Sequence, residues 1–197
     1  MGRSLCLCAL ALLAAVASGC GGASGPAEDD GIEAPAPQPG VDVRAVRAVI
    51  DLDPETLMLD GVATLEMAVP DTLTQLTLGF DDAMDISTVL VDGVGVLFWR
   101  DGDGLYVPLG DVDTTASVEV TYTGTPSAGV YADEAAGQRV VYTDGWPDRT
   151  AGWLPTVHHP SDPSRLDLTL VVPAALEVVA SGAAVSDSVA SGRRYAR

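Results

Sequence analysis

The sequence contains no lysine, and all of its positive charge comes from 10 arginines. Its 28 aspartates and glutamates bring the formal net charge to −18 at pH 7. Such a surface repels a phosphate backbone, so nucleic acid is excluded as a partner. Solubility in a salty exterior explains the charge in general terms, and attraction of cationic substrates is the more specific alternative.

Cysteine occurs at three positions, all within the first 20 residues. After Arg3, an apolar run from Leu5 to Val16 has the length of a signal-peptide core and is too short to span a bilayer. It ends in Ala17-Ser18-Gly19-Cys20, which resembles the lipobox of bacterial lipoproteins. The resemblance implies that residues 1–19 are removed and Cys20 is acylated. Cleavage of a plain signal peptide near the same place is the alternative.

This processing predicts an exported protein, held by lipid on Cys20 to the membrane of a bacterial cell envelope, on the periplasmic or outer-surface side. Cys6 and Cys8 would leave with the signal peptide, so no thiol would remain for a disulfide, a nucleophile or a metal site. Residues 20–42 are rich in Gly, Pro and Ala and have little to bury. They are therefore expected to form a flexible tether between the lipid and the domain.

Aromatic residues make up only 5% of the chain, and no stretch after the tether keeps a helical period over three turns. Instead, apolar and polar residues alternate in short runs such as Leu65–Val69, Val118–Tyr122 and Leu166–Val172. Asp92-Gly93 separates two such runs and predicts a hairpin turn, because both residues tolerate positive φ. About ten to twelve short strands at this spacing predict an all-β domain of packed antiparallel sheets over residues 43–197.

Motifs for chemistry are missing as well. The sequence has no Gly-rich phosphate loop, no Gly-x-Ser-x-Gly elbow and no His-Glu-x-x-His. Asp101-Gly102-Asp103-Gly104 lacks the spacing of a calcium loop and is interpreted as a hairpin turn. His158 and His159 are the only histidines, and neighbours in an extended segment point to opposite faces, so they cannot easily chelate one metal. A weak site formed by His158 and Asp162 is the alternative.

The order of motifs in the last third of the chain is its most informative feature. Gly145-Trp146-Pro147-Asp148-Arg149 leads to Trp153-Leu154-Pro155, Thr156–Pro163, the strand Leu166–Val172 and Pro173. This order resembles the N-terminal domain of the aminopeptidase N family of zinc metallopeptidases, which includes leukotriene hydrolase. Upstream, Asp53-Pro54-Glu55-Thr56, Val91-Asp92-Gly93 and Tyr122–Pro126 follow in the family's order. The resemblance therefore covers about residues 43–197.

The resemblance implies a saddle-like or sandwich-like β domain that precedes a zinc domain with His-Glu-x-x-His and a distant Glu. There the metal polarises the peptide carbonyl and the Glu activates water, so that N-terminal residues are released from peptides. Because this chain lacks those residues, we expect zinc only in a missing catalytic domain, and no catalysis by the chain itself. That zinc domain is the expected partner if a longer product exists.

The sequence ends at Arg193–Arg197, in what resembles one of the last strands before the zinc domain. An ending within a strand is expected to leave the neighbouring strand unpaired. This predicts a fold truncated near its C-terminal edge.

The candidate residues of a substrate cleft or domain interface are Trp146, Asp148, Arg149, Trp153 and His158. In many relatives an acidic or amide residue of this domain helps to hold the substrate's free amine. The resemblance places Trp146 at that position, with Asp148 two residues on, and it places His158 where an aspartate is usual. Lost constraint and an interface of different shape both account for these departures.

Three functions remain open from the sequence. The first is the non-catalytic N-terminal β domain of a lipid-anchored zinc aminopeptidase. The second is a stand-alone β-sandwich lipoprotein of the envelope that binds a peptide or another envelope protein. The third is a nonfunctional remnant.

Overall fold

The computed structural model describes residues 35–146, 148–157 and 162–197. Within these ranges the regular elements are thirteen β-strands and one 3-10 helix, Arg149–Gly152. The strands are β1 (Asp42–Leu52), β2 (Leu59–Ala68), β3 (Gln75–Gly79), β4 (Met84–Val91), β5 (Val94–Gly95), β6 (Trp99–Asp101), β7 (Gly104–Pro108), β8 (Thr115–Gly124), β9 (Val130–Ala135), β10 (Gln138–Thr143), β11 (Arg165–Pro173), β12 (Asp187–Ala190) and β13 (Arg193–Ala196). The predicted all-β class is confirmed.

The strands form two main sheets and one separate hairpin. The large sheet has the order β12-β13-β11-β1-β2-β8-β4-β5, and the small sheet has the order β3-β7-β6. β9 and β10 pair only with each other among the described strands. The described pairs are antiparallel except β1 and β11, which run parallel with Ile50 opposite Leu170. Residues 53–164 separate β1 from β11 in the chain, which leaves room for the crossover that parallel pairing requires.

The core lies between the two sheets. The predicted alternation holds, since Val118, Val120 and Tyr122 of β8 are buried while Glu119 and Thr121 are only partly covered. β1, β2 and β4 contribute to the same apolar layer, and the small sheet covers it from the other side. The small sheet contributes Leu76 and Leu78 of β3, and Leu105 and Val107 of β7. Two sheets that share one apolar layer make a β-sandwich.

The last strand differs from the sequence expectation. β13 has a neighbour on each side, with Ala196 opposite Leu170 of β11 and opposite Asp187 of β12. The reason is the turn at Ser191 and Gly192, which have φ values of 50° and 76° and fold β13 back on β12. β12, rather than the strand that ends the sequence, therefore forms this edge of the large sheet.

Candidate functional site

Four of the five candidate residues lie in residues 144–157, the first part of the connection between β10 and β11 and described except for residue 147, which we call the 144–157 segment. The backbone N–H groups of Trp153 and Leu154 both donate to the carbonyl oxygen of Thr150, at 3.2 and 3.0 Å, and tighten the end of the 3-10 helix. His158 and His159 lie outside the described residues, so a site that includes His158 stays a prediction. Asp162 accepts the backbone N–H of Val43 at 3.1 Å and thereby ties the start of β1 to this region.

Arg149 braces the first half of the segment. Its Nη1 donates to the Asp144 carboxylate at 2.9 Å and to the carbonyl oxygen of Trp146 at 2.8 Å. The other carboxylate oxygen of Asp144 accepts the backbone N–H of Trp146 at 3.0 Å. Charge-assisted bonds of this kind are about twice as strong as neutral ones. The backbone of Trp146 is therefore held in place, although its side chain is 78% exposed.

Trp153 anchors the second half of the segment in the core. Its carbonyl oxygen accepts the hydroxyl of Tyr122 at 2.8 Å. Burial raises the pKa of Tyr122, so the hydroxyl keeps its proton and its role as donor. The Tyr122 ring meets Phe80 edge-on, with centroids 4.8 Å apart. Gly61 of β2 leaves space for this ring, because a Cβ there would overlap it.

Close backbone contact fixes the middle of the segment against the loop that precedes β9. A Cβ on Gly152 would collide with the carbonyl oxygen of Ala128, and one on Gly129 would collide with that of Arg149. The carbonyl of Ala151 accepts the backbone N–H of Asp81 at 2.9 Å. The middle of the segment is thus packed closely, backbone to backbone, against this loop and Asp81.

Three carboxylates, whose proximity could not be predicted from the sequence, lie beside the loop that precedes β9. Ligand oxygens of Asp81, Asp82 and Asp103 lie within 4.8 Å of one another. Asp81 is fully buried, and it accepts the backbone N–H and the hydroxyl of Ser127 at 2.6 and 2.7 Å. It also accepts the backbone N–H of Ala83 at 2.9 Å. Asp103 lies in the β6–β7 turn, so the hairpin interpretation of residues 101–104 is confirmed.

Arg100 supplies the countercharge to this cluster. Its Nη1 donates to the carbonyl oxygen of Met84 at 2.6 Å and its Nη2 to that of Phe80. Burial lowers the pKa of Arg100, and the nearby aspartates, Asp82 first, oppose that shift. An all-oxygen cluster with its own donors and an adjacent arginine does not fit a hydrolytic zinc centre, which uses His nitrogen and keeps a position open for water.

The outer face of the β9–β10 hairpin exposes apolar side chains next to the 144–157 segment. Tyr142 is 48% exposed, and its ring centroid lies 5.7 Å from that of Tyr131. Val140, two residues earlier on the same face, is also exposed. Trp146, Tyr142 and Val140 are among the exposed large apolar residues of the described chain, which also include Leu97, Val94 and Val179 elsewhere on the surface. The fold defines a class, an all-β domain built as a sandwich of two sheets.

Comparison with protein-family models and with curated proteins finds no match, but solved structures match. An M1 zinc metallopeptidase from Deinococcus radiodurans has a TM-score of 0.73 and 24% identity, over 85% of this chain and 40% of that chain. A mutant two-domain M1 zinc metallopeptidase bound to L-tryptophan has a TM-score of 0.72 and 24% identity, over 82% and 39%. Native yeast LTA4 hydrolase has a TM-score of 0.67 and 16% identity, over 80% and 26%.

These likenesses establish the fold. The sequence resemblance to the N-terminal domain of the aminopeptidase N family is confirmed at that level, since M1 metallopeptidases and LTA4 hydrolase share this architecture. The chain spans at most 40% of the length of these proteins. In the described part of the chain, no helix is long and apolar enough to cross a membrane.

Proposed function

We propose that this chain is the non-catalytic N-terminal β domain of a lipid-anchored zinc aminopeptidase. One observation carries the proposal. The structural match covers 85% of this chain but only 40% of an M1 zinc metallopeptidase, and this sequence contains no His-Glu-x-x-His. The domain therefore supplies scaffold and binding surface, and hydrolysis of peptides from the N-terminus requires a zinc domain in addition.

In this function the 144–157 segment forms one wall of the substrate cleft. The hydrogen bonds of Arg149 to Asp144 and of Tyr122 to Trp153 fix this wall before a substrate binds. Preorganisation of this kind reduces the entropy lost on binding. Trp146 presents an exposed indole where many relatives have a polar group, so apolar contact replaces a hydrogen bond at this point of the wall.

The DNA beyond codon 197, read in all frames, tests the proposal. We expect a His-Glu-x-x-His motif and a downstream glutamate within the length of a zinc domain. A stop codon followed by an unrelated gene would contradict the proposal. It would favour the stand-alone binding module, which the exposed side chains of Tyr142 and Trp146 support.

The anchor on Cys20 completes the proposal. The first residue of β1 pairs with the last residue of β2, which in turn pairs with the first residue of β8. Tyr122, which bonds Trp153, lies near the other end of β8. The two ends are about 20 Å apart at the usual rise of a strand. A tether that enters at Asp42 would thus hold the contact between Tyr122 and Trp153 toward the end of the domain away from the membrane, whereas Thr156 of the same segment bonds Gly79 of β3.

We predict that Cys20→Ser releases the protein from the membrane fraction, because it removes the acylated thiol. Fractionation of cells that produce either form, followed by immunoblotting, measures this. Cys8→Ser is the matched control and should leave the membrane-bound share unchanged. Equal membrane association of the Cys20→Ser and unsubstituted proteins would rule out lipid anchoring.

A further inference from the structure

β3 forms an edge of the small sheet, where its neighbour is β7. The backbone groups on the other side of an edge strand lack a strand partner and are a template for an added strand. In β3 these groups belong to Gln75, Thr77 and Gly79, since each makes a hydrogen bond outside its sheet.

A single side chain closes the first half of the edge. Nε2 of Gln38 donates to the carbonyl oxygen of Gln75 at 2.9 Å, and Oε1 of Gln38 accepts the backbone N–H of Thr77 at 2.6 Å. A primary amide carries one donor side and one acceptor side in a plane, as a peptide group does. Further along, Thr156 exchanges two backbone hydrogen bonds with Gly79, at 2.8 and 3.1 Å.

A turn places this amide on the edge. The backbone N–H of Val41 donates to the carbonyl oxygen of Gln38 at 3.2 Å, and Gly40 has a φ of +83°. Proline at the second position and glycine at the third are the signature of a type II turn. A Cβ on Gly40 would lie 2.7 Å from Cγ of Pro70, so the position requires glycine for space as well. The turn leads directly into β1 of the large sheet.

We propose that residues 38–41 are a strap, in which the side-chain amide of Gln38 closes the edge of β3 and joins the small sheet to β1. The strap holds the last part of the predicted tether against the domain. It therefore sets the point at which the N-terminal chain leaves the sandwich, and it occupies an edge that would otherwise accept a foreign strand.

Hydrogen exchange at the Thr77 amide in the full chain tests the strap. Gln38→Ala removes the acceptor, and we expect the protection of this amide to fall about fivefold, the factor that matches the net contribution of one ordinary hydrogen bond. Gln138→Ala is the matched control, because Gln138 is an exposed glutamine on β10. Unchanged protection in Gln38→Ala, or an equal loss in Gln138→Ala, would overturn the proposal.

Gln38→Glu separates the role of the amide from a loss of packing. At pH 7 one oxygen of the carboxylate would face the carbonyl oxygen of Gln75 with no hydrogen between them. This repulsion should displace the side chain from the edge, so the protection of Thr77 should be below that of the unsubstituted chain. Once the glutamate is protonated, below about pH 4, it regains a donor. The ratio of Thr77 protection between the two proteins should then approach one. A ratio that does not change with pH would contradict the amide mechanism.

Discussion

At the scale of single residues, Tyr122 joins the core to the candidate site. Its burial could be predicted from the alternation of β8, and the structure confirms it. Its hydrogen-bond partner, the carbonyl of Trp153, could not be predicted, because 31 residues separate the two and no local pattern records the pairing. The same holds for Asp81 and Ser127, which meet across 46 residues. The alternation of apolar residues predicts which face of a strand a side chain occupies, whereas its partner from a distant part of the chain is known only from the fold.

We predict that Tyr122→Phe lowers the free energy of unfolding by about 1–3 kcal/mol, because it leaves the buried carbonyl of Trp153 without a donor. Urea titration followed by circular dichroism measures the change. Tyr142→Phe is the control, since Tyr142 is half-exposed and its variant should unfold at the same urea concentration as the parent. Equal midpoints for all three proteins would show that the Tyr122 hydroxyl does not anchor the segment.

Asp53 gives a pH-dependent prediction. The backbone N–H of Glu55, at 2.9 Å, and then the Thr56 hydroxyl, at 2.8 Å, lower the pKa of Asp53 below its ordinary value of 3.8. A pKa that is lower in the folded state stabilises the fold above the unfolded pKa, and this contribution is lost as the pH falls through the folded pKa.

The native chain should therefore be more stable than Asp53→Asn near pH 6, and the difference should shrink below about pH 4. Urea midpoints of both proteins between pH 2 and 6 measure this. A difference that stays constant over that range would contradict the assignment.

At the scale of elements, turn chemistry decided which hairpins could be predicted. Asp92 and Gly93 both have positive φ, 50° and 78°, and their sequence is a known hairpin signal. Ala136-Gly137 and Ser191-Gly192 adopt the same conformation, but alanine and serine do not favour positive φ, so neither pair marked a turn. The hairpins β9–β10 and β12–β13 were missed for this reason.

The 144–157 segment was recognised as a connection, but its backbone packing was not. We predict that Gly152→Ala lowers the free energy of unfolding by about 1–3 kcal/mol, as overpacking does, because the new Cβ meets the backbone carbonyl of Ala128. Gly95→Ala is the matched control, since the nearest atom to its new Cβ lies 3.9 Å away. The free energies come from chemical unfolding, and equal values for the two variants would argue against close packing at Gly152.

At the level of the whole domain, the two ends of the β-sandwich carry different features. The strap at Gln38 lies where the chain enters the domain, and the contact between Tyr122 and Trp153 lies near the other end of β8. Sequence patterns pointed to Trp153 but placed Gln38 only within a flexible tether, and its contact with β3 could not be predicted. The same is true of the order of strands in the large sheet. That order includes the parallel pair β1–β11, which brings residues far apart in the chain side by side and which no local pattern specifies.

We propose above all that this chain supplies scaffold and not bond cleavage. The most direct test is hydrolysis of an aminoacyl anilide by the purified chain with added zinc, with and without a chelator. We expect no turnover above the rate of zinc in buffer, because the chain has no His-Glu-x-x-His. Turnover that requires the chain, depends on zinc and stops with the chelator would contradict it.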